Sequence, residues 1–282
     1  MNIGIVGLGL IGGSLGLDLR SQGYHVLGVS RQVTTCEQAI ARGIVDAAST
    51  DGQLLETANL VFLCTPLGVM ETTAKAIIPH LSPETTLTDV GSVKAWVVNT
   101  LAPLWPNFVG GHPMAGTADS GIAAAQSGLF QDAPYVLTPT ATTPKSALEQ
   151  VEKVVRGLQV RLYHCSPEEH DLAVAWISHL PVMVSASLIA ACVQEANLEV
   201  QFLAKALASS GFRDTSRVGG GNPELGLMMA QYNQDSLLRS LYTYRQQLDH
   251  IIGAIAQSDW ATLQALLQQT HQMRSAFTTT IH

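Results

Sequence analysis

The sequence predicts an α/β fold: an N-terminal, doubly wound sheet followed by an all-α helical part. Short β-rich runs alternate with helical segments through the first half of the chain, at residues 3–6, 26–29, 60–64, 86–89, 108–110 and 135–138. This alternation is typical of a parallel sheet flanked by helices. After a last run at 160–163 the strand signals end. The 282 residues suffice for two domains, which we expect at 1–164 and 165–282.

The first predicted strand leads directly into a glycine-rich turn and a helix. The turn has the sequence Gly7-Leu8-Gly9-Leu10-Ile11-Gly12. In this position Gly7 permits a tight turn, Gly9 a close approach of a phosphate, and Gly12 the packing of helix on strand. The start of such a helix directs free backbone N–H groups at a pyrophosphate. We therefore predict a Rossmann-type dinucleotide-binding domain, in which Leu10 and Ile11 also contact the cofactor.

The second predicted strand ends at Ser30-Arg31. Proteins that bind NAD usually place Asp or Glu here, where the carboxylate accepts hydrogen bonds from the ribose hydroxyls. A carboxylate would repel a 2′-phosphate, whereas Ser30 can donate to it and Arg31 can form charge-assisted bonds. The sequence therefore favours NADP; the alternative is that Arg31 is a solvated surface residue.

Two further segments follow strands and are expected at the carboxyl edge of the sheet, where ligands bind in such folds. Cys64-Thr65-Pro66 begins at the last residue of the run at 60–64. Asp89 ends the run at 86–89, and Ser92 follows it. We predict that these residues contact the cofactor. Cys64 is interpreted as a packed thiol rather than a nucleophile.

His112 is the candidate general base. It lies between a double glycine and Pro113, two residues after the run at 108–110. A neutral imidazole can take up a proton near neutral pH. A packing or surface role is the ordinary alternative for a histidine, and it applies to most of the nine in this chain.

The second half of the chain is predicted to be helical from Ser166, which with Pro167 and Glu169 has the pattern of a capped helix start. One polar, glycine-rich stretch at 211–221 is predicted to be a functional loop. It contains Arg213 and Arg217 and is followed by an Asn-Pro helix start. The acidic and histidine residues at 164–170 are explained by that helix start, so we expect no metal site.

Composition excludes several classes of function. Net charge is −7 and the 15 basic residues are scattered, so neither nucleic acid nor an anionic membrane is an expected partner. Only 13% of residues are charged and 46% are hydrophobic, which predicts that a second subunit covers apolar surface. We expect a homodimer formed through the helical domain.

The predicted location is cytoplasmic. The four cysteines are far apart and form no CxxC pair, as expected of reduced thiols. The apolar N-terminus lacks the basic region of a signal peptide. Residues 173–193 approach membrane-spanning length, but they contain His179, Pro181 and three serines, so we interpret them as a buried or interfacial helix.

Taken together, these motifs resemble the prephenate/arogenate dehydrogenase family of tyrosine biosynthesis. The resemblance extends over nearly the whole chain and is carried by segments 7–16, 89–94, 111–117, 170–181 and 213–217. It implies oxidative decarboxylation: hydride passes from the ring carbon bearing the 4-hydroxyl to the nicotinamide, carbon dioxide leaves the opposite carbon, and the ring becomes aromatic. The implied substrate is a small dicarboxylate cyclohexadienol.

The resemblance also implies roles for individual residues. His112 accepts the proton of the 4-hydroxyl, and Ser92 orients both the hydroxyl and the imidazole. Arg217 binds a substrate carboxylate, which agrees with the need for a guanidinium group when an acidic protein binds a dicarboxylate. Arg213 is a second candidate, although it could pair with Asp214 instead. Thr117 and His179 are further candidates for substrate contact.

One position departs from the family pattern. Val182 stands where the family often has a second histidine after Ser-His-Leu-Pro. Together with Ser30-Arg31, this favours an arogenate enzyme over a prephenate enzyme by association within the family.

A β-hydroxyacid dehydrogenase or imine reductase is disfavoured because the hydroxyacid enzymes need a lysine early in the helical domain, and none lies between 167 and 203. A protein that only senses NADP, without turnover, is also disfavoured, because Ser92, His112 and Arg217 would then have no common role.

Overall fold

The computed structural model describes residues 1–117 and 119–278. The N-terminal part is built on an eight-stranded sheet with the order β3-β2-β1-β4-β5-β6-β7-β8. The strands are β1 Asn2–Val6, β2 His25–Val29, β3 Ala47–Ser49, β4 Leu60–Leu63, β5 Thr86–Asp89, β6 Phe108–Pro113, β7 Pro134–Thr138 and β8 Arg161–His164. All neighbouring pairs are parallel except β6 and β7, which are antiparallel.

Helices connect the strands and form the rest of the chain. The first five are α1 Leu10–Ser21, α2 Val33–Ala41, α3 Leu67–Ile77, α4 Ala95–Leu101 and α5 Lys145–Gly157. Those that follow the sheet are α6 Pro167–Val174, α7 Leu180–Val193, α8 Leu198–Leu207, α9 Ser210–Ser216, α10 Pro223–Tyr232, α11 Gln234–Ala256 and α12 Trp260–Thr278. The predicted fold class, a doubly wound sheet followed by helices, is confirmed.

The sheet order changes direction at β1, and this position brings several loops together. Val6 at the end of β1 pairs with Val29 of β2 on one side and with Leu63 of β4 on the other. Leu63 in turn pairs with Asp89 at the end of β5. The loops after these four strands therefore open at one edge, which is where doubly wound folds bind ligands.

Hydrophobic side chains fill both faces of the sheet. Ile3 and Ile5 belong to one buried cluster with Leu15 of α1, and Val61 and Leu63 belong to the other. Alternate residues of β1 and β4 thus point to opposite faces, as strand geometry requires. Burial of both faces fixes the strand register, and with it the positions of the loops at the edge.

Two local predictions need correction. Strand β3 was not expected, because its three residues, Ala-Ala-Ser, carry no hydrophobic alternation. The predicted loop at 211–221 is instead helical: α9 is followed by a 3-10 turn at Arg217–Gly220. Gly219 lies against the backbone of Ala186 in α7, where a Cβ atom would clash. That glycine serves close packing between helices, a requirement that composition cannot distinguish from loop flexibility.

The predicted helix start at Ser166 is confirmed. The Ser166 hydroxyl accepts from the Glu169 N–H, and the Glu169 carboxylate accepts from the Ser166 N–H. A π-helical turn at Ala175–His179 then joins α6 to α7. The continuous helix Pro167–Val193 is, among the described residues, the one stretch long and apolar enough to span a membrane by length and composition. The side chains of His170, Asp171 and His179 in this helix are buried, but only 28% of its apolar stretch is buried within this chain.

The chain forms two compact units, Met1–Gln234 and Asp235–His282. The first contains the sheet and α1 to α10. The second contains most of α11, together with α12.

Candidate active site

The glycine-rich turn has the geometry of a phosphate-binding site. Gly7 has a φ of +100°, and a Cβ atom there would lie 2.7 Å from the carbonyl oxygen of Cys64. Gly12 packs against the carbonyl of Gly7, whereas a Cβ on Gly9 would meet nothing within 4 Å. Helix α1 starts after Gly9 with no side-chain cap and no acidic residue in its first turn. Its free N–H groups, including those near Leu10 and Ile11, therefore suit an anion such as a pyrophosphate.

The structure brings the other predicted cofactor residues to the same edge of the sheet. Ser30 follows β2, its N–H donating to the carbonyl of Ser49 at 3.2 Å, and the exposed Arg31 comes next. The Thr65 hydroxyl is buried without a hydrogen-bond partner among the described residues. Burial and the nearby Asp89 raise the pKa of the Cys64 thiol, so the thiol stays protonated, as expected of a packed residue. Pro66 immediately precedes α3.

Asp89 is the centre of a buried network that the sequence did not reveal. Its carboxylate accepts hydrogen bonds from the N–H groups of Gly91 at 2.7 Å and Gly111 at 3.0 Å. It also forms an ion pair with Lys94, whose ammonium group donates to the Gly111 carbonyl at 2.7 Å. Asp89 is therefore a structural anchor, and any cofactor contact it makes would be additional to these bonds.

The side chain of His112 lies in a chain of hydrogen bonds. Because β6 extends to Pro113, His112 is part of the strand rather than of the loop after it. Its Nδ1 is 2.8 Å from Nε2 of His170, and His170 Nδ1 is 2.8 Å from Oδ1 of Asp171. All three residues are buried. The resemblance included His170 and Asp171 without assigning them a role; the adjacent His-Asp pair, in the first turns of a capped helix, was the signal available.

Burial, the neighbouring His170 and the charge of Lys94 hold the pKa of His112 well below the usual 6.5. Burial also lowers the pKa of His170, although its hydrogen bond to Asp171 opposes this effect. Both imidazoles are therefore neutral near pH 7. A neutral His112 has a lone pair with which to accept a proton.

His179 lies in the π-helical turn and is fully buried. The Nδ1 of this imidazole is 3.2 Å from the side-chain nitrogen of Asn233, which also donates to the Asp171 carbonyl at 2.8 Å. Its Nε2 has no partner among the described residues. Since an amide nitrogen can only donate, Nδ1 accepts and Nε2 carries the hydrogen. Desolvation lowers the pKa of His179 to about 4, so the ring offers a buried, unpaired N–H donor.

The structure does not bring the remaining predicted residues into contact with His112. The Ser92 side chain is partly buried and has no hydrogen bond within the described residues; the imidazole that it was expected to orient contacts His170 instead. The Thr117 hydroxyl is exposed and accepts from the N–H of Asp119 at 3.2 Å. Arg213 pairs with Asp214 at 3.4 Å. Arg217 is exposed at the start of the 3-10 turn.

Comparison with known proteins identifies the group to which this site belongs. Residues 15–164 match the model of the prephenate dehydrogenase nucleotide-binding domain, and residues 166–269 match that of the prephenate dehydrogenase dimerization domain. The chain belongs to the prephenate dehydrogenase family. It is therefore a nucleotide-binding dehydrogenase, and the expectation drawn from its motifs is confirmed.

Individual members of the prephenate dehydrogenase family resemble the chain closely. The prephenate dehydrogenase of Bacillus subtilis is 35% identical over 90% of this chain and 70% of its own length. The crystal structure of Synechocystis arogenate dehydrogenase is 55% identical, covers 98% of this chain and 100% of its own, and has a TM-score of 0.89. Prephenate dehydrogenase from A. aeolicus, in complex with hydroxyphenyl propionate and NAD+, is 29% identical with 98% coverage of both chains and a TM-score of 0.92.

Proposed function

We propose that this protein catalyses the NADP-dependent oxidative decarboxylation of arogenate to tyrosine. The observation that carries the proposal is the buried, neutral His112, which is held in the hydrogen-bonded chain of residues described above and lies on the strand beside β5. In the family to which this chain belongs, the reaction removes a proton from a ring hydroxyl while hydride leaves the same carbon. An imidazole held in one orientation is suited to accept that proton.

The bound dinucleotide supplies the hydride acceptor, and the protein residues bind and orient the substrate. His112 takes the proton of the 4-hydroxyl as carbonyl character develops, and Ser92 orients that hydroxyl. The N–H at Nε2 of His179 is a donor to a substrate oxygen. Arg217 is exposed and forms no ion pair with the residues that the structure describes. Its guanidinium group binds a substrate carboxylate. Arg213 and Thr117 are proposed as secondary contacts on the substrate side chain.

Ser30 and Arg31 support NADP as the cofactor. The loop after β2 carries no carboxylate at these positions, so nothing there repels a 2′-phosphate. The exposed guanidinium group of Arg31 is available for charge-assisted bonds to it. The A. aeolicus relative is described with NAD+, so the proposal of NADP rests on these two residues and not on that relative.

Arogenate is favoured over prephenate by two observations. The Synechocystis relative, an arogenate dehydrogenase, is 55% identical. Val182 removes the imidazole that many family members have at this position. Prephenate, giving 4-hydroxyphenylpyruvate, is the alternative substrate, and the relative from B. subtilis carries the name prephenate dehydrogenase.

We further propose that the protein is a cytoplasmic homodimer with a cofactor domain at 1–164 and a substrate and dimerisation domain at 165–282. The match of the second half to a dimerization-domain model supports a dimer. So do the large exposed apolar side chains of α8, among them Leu198, Phe202 and Leu207. All four cysteines are free thiols, in keeping with a reducing compartment.

The test is to measure initial rates of the purified protein with arogenate and prephenate, each with NADP+ and NAD+. We expect the highest kcat/KM for arogenate with NADP+. His112→Ala should lower kcat by about 10²- to 10⁴-fold while still binding NADP+. Turnover of neither substrate, or unchanged turnover by the variant, would refute the proposal.

A further inference from the structure

A continuous series of hydrogen bonds joins the side chains of His112, His170 and Asp171. The carboxylate at one end determines which ring nitrogens carry a hydrogen. An ionised carboxylate can only accept hydrogen bonds. Asp171 therefore requires a hydrogen on Nδ1 of His170, 2.8 Å away. A neutral His170 protonated at Nδ1 has a lone pair at Nε2, so the facing Nδ1 of His112, also at 2.8 Å, must carry a hydrogen. The lone pair of a neutral His112 is then at Nε2.

We propose that His170 and Asp171 are positioning residues that hold His112 in the Nδ1-protonated tautomer and so keep Nε2 free to accept the proton of the substrate. The proposal deepens the proposed function, because it rests on the role of His112 as the base. Neither residue needs to contact the substrate, and both act through the imidazole of His112. The proposal adds a role for the His-Asp pair at the start of the helical part of the chain.

Two further hydrogen bonds hold the carboxylate of Asp171 in place, so it can determine which nitrogen of His170 carries a hydrogen. Its Oδ1 also accepts from the N–H of Lys94 at 2.7 Å, and its Oδ2 accepts from the N–H of Ala95 at 2.9 Å. These donors lie at the start of α4, whose N-terminal dipole favours a negative charge. Asp171 is 3% exposed and His170 is 2% exposed, so water does not compete for these bonds. The series of hydrogen bonds thus runs from His112 in β6 to Asp171 in α6, and Asp171 is in turn bonded to the start of α4.

The charged groups around His112 and His170 show why this series of hydrogen bonds matters when His112 accepts a proton. His112 faces His170, Lys94 and His179, each of which disfavours a positive charge on its ring, and it is itself desolvated. His170 faces Lys94, whereas Asp171 and Asp89 favour a charge on it. When His112 accepts a proton at Nε2, its Nδ1 hydrogen points at His170 and beyond it at the carboxylate of Asp171. The bond network thereby stabilises the imidazolium that the reaction forms.

The tautomer can be observed directly in the intact protein. We would record long-range ¹H–¹⁵N spectra of ¹⁵N-histidine-labelled protein near pH 7.5, and assign the signals of His112 and His170 with His112→Gln and His170→Gln. The expected result is that both rings are neutral and protonated at Nδ1. A His112 protonated at Nε2 would overturn the proposal, whatever the activity of the enzyme.

A matched pair of variants connects the tautomer to turnover. In Asp171→Asn the single amide oxygen cannot accept hydrogen bonds from Lys94 N–H, Ala95 N–H and His170 Nδ1 together. Nδ1 of His170 is then no longer required to carry a hydrogen. We expect kcat to fall by about 10²- to 10⁴-fold, with His112 shifting to the Nε2-protonated form. Glu168→Gln changes an exposed acid in the same helix and should leave both the tautomer and kcat as in the unaltered protein. A fall in kcat with no change of tautomer would refute the role in positioning.

These measurements separate the two proposals. If the unaltered protein oxidises neither arogenate nor prephenate while His112 is protonated at Nδ1, the proposed function fails and the hydrogen-bond assignment stands. If turnover is normal and His112 is protonated at Nε2, only the inference fails. Dinucleotide binding and the melting temperature of Asp171→Asn show whether the variant is folded; an unfolded variant leaves the spectrum of the unaltered protein as the deciding result.

Discussion

The ammonium group of Lys94 forms an ion pair with the carboxylate of Asp89, and neither side chain is exposed to solvent. The pair holds the backbone of Gly111 from both sides: Asp89 accepts from its N–H and Lys94 donates to its carbonyl. Gly111 directly precedes His112 in β6. The position of the proposed base thus depends on a buried pair of opposite charges.

Replacing Lys94 with methionine should destabilise the protein strongly. The variant leaves the Asp89 carboxylate buried without its counter-ion, which costs about 3–5 kcal/mol of unfolding free energy. Urea denaturation followed by circular dichroism measures the loss. Lys75→Met is the matched control, because Lys75 pairs with Glu71 on the surface and such pairs contribute about 0–1 kcal/mol. Similar losses in the two variants would contradict this account.

Much of the nucleotide-binding half could be predicted because its signals are local. A strand that ends in a glycine turn and begins a helix is specified by neighbouring residues, and β1, the turn and α1 lie where the sequence places them. β3 was missed because its partner β2, rather than its own composition, makes it a strand. The helical segment at 211–221 was missed for a related reason, since the need for glycine at 219 comes from α7, about 30 residues away.

The candidate site was predictable only in part. His112 stands out because of its glycine and proline neighbours, but its hydrogen bond with His170 joins residues 58 positions apart in the chain. Lys94 likewise bonds to Gly111, 17 positions away in the chain. Hydrogen bonds of this kind arise from tertiary packing, which leaves no periodic pattern in a single sequence. The roles of Ser92, Thr117, Arg213 and Arg217 stay predictions.

Gly9→Ala should weaken dinucleotide binding without unfolding the protein. An added Cβ at Gly9 meets no protein atom within 4 Å, and the residue has an extended backbone conformation that alanine can adopt. The new methyl group instead occupies space that the pyrophosphate needs. We expect dinucleotide affinity to fall by at least about 10-fold, with the unfolding free energy within about 1 kcal/mol of the unaltered value. Isothermal titration calorimetry and urea denaturation provide the two readouts.

Gly12→Ala is the contrasting variant for Gly9→Ala. Its Cβ would clash with the carbonyl of Gly7, so the turn itself must move, at a cost of about 1–3 kcal/mol. Loss of binding should then accompany loss of stability. Unchanged dinucleotide affinity in Gly9→Ala would show that the phosphates do not approach this turn.

Arg31→Ala should reduce the affinity for NADP+ selectively. A charge-assisted hydrogen bond contributes about 1.5–3 kcal/mol, so we expect the Kd for NADP+ to rise by about 10- to 100-fold and the Kd for NAD+ to change little. Fluorescence titration with both dinucleotides measures the ratio. Arg156→Ala, an arginine of α5 that is 62% exposed and pairs with Glu152, controls for a general loss of positive charge. An equal loss for both cofactors would refute contact with the 2′-phosphate.

Arg217→Ala should raise KM for the cyclohexadienol substrate by about 10- to 100-fold, because a carboxylate loses a charge-assisted partner. Arg213→Ala is the internal comparison. Arg213 already pairs with Asp214 at 3.4 Å, so less of its charge is available and its KM should change less. Steady-state kinetics at saturating cofactor give both values. A larger effect at Arg213 would reverse the assignment of the carboxylate site.

The buried His179 should make stability depend on pH in a defined window. Desolvation lowers its pKa in the folded protein from the usual 6.5 to about 4. Between these values the unfolded chain binds more protons than the folded one, so the unfolding free energy rises with pH. The contribution is fully present above about pH 6.5 and is lost as the pH falls toward 4, and it amounts to about 3 kcal/mol. His112 and His170, whose pKa values are also lowered, add to the slope in the same direction.

Urea denaturation at a series of pH values between 4 and 8 measures this dependence. His179→Gln removes one titrating group, so its unfolding free energy should fall less steeply with acidification than that of the unaltered protein. His271→Gln, at an exposed position of α12, is the matched control and should retain the full slope. If His179→Gln kept the full slope, the burial of His179 would not cause the acid sensitivity. The N–H at Nε2 of His179 could then no longer be assigned to a neutral ring that donates to the substrate.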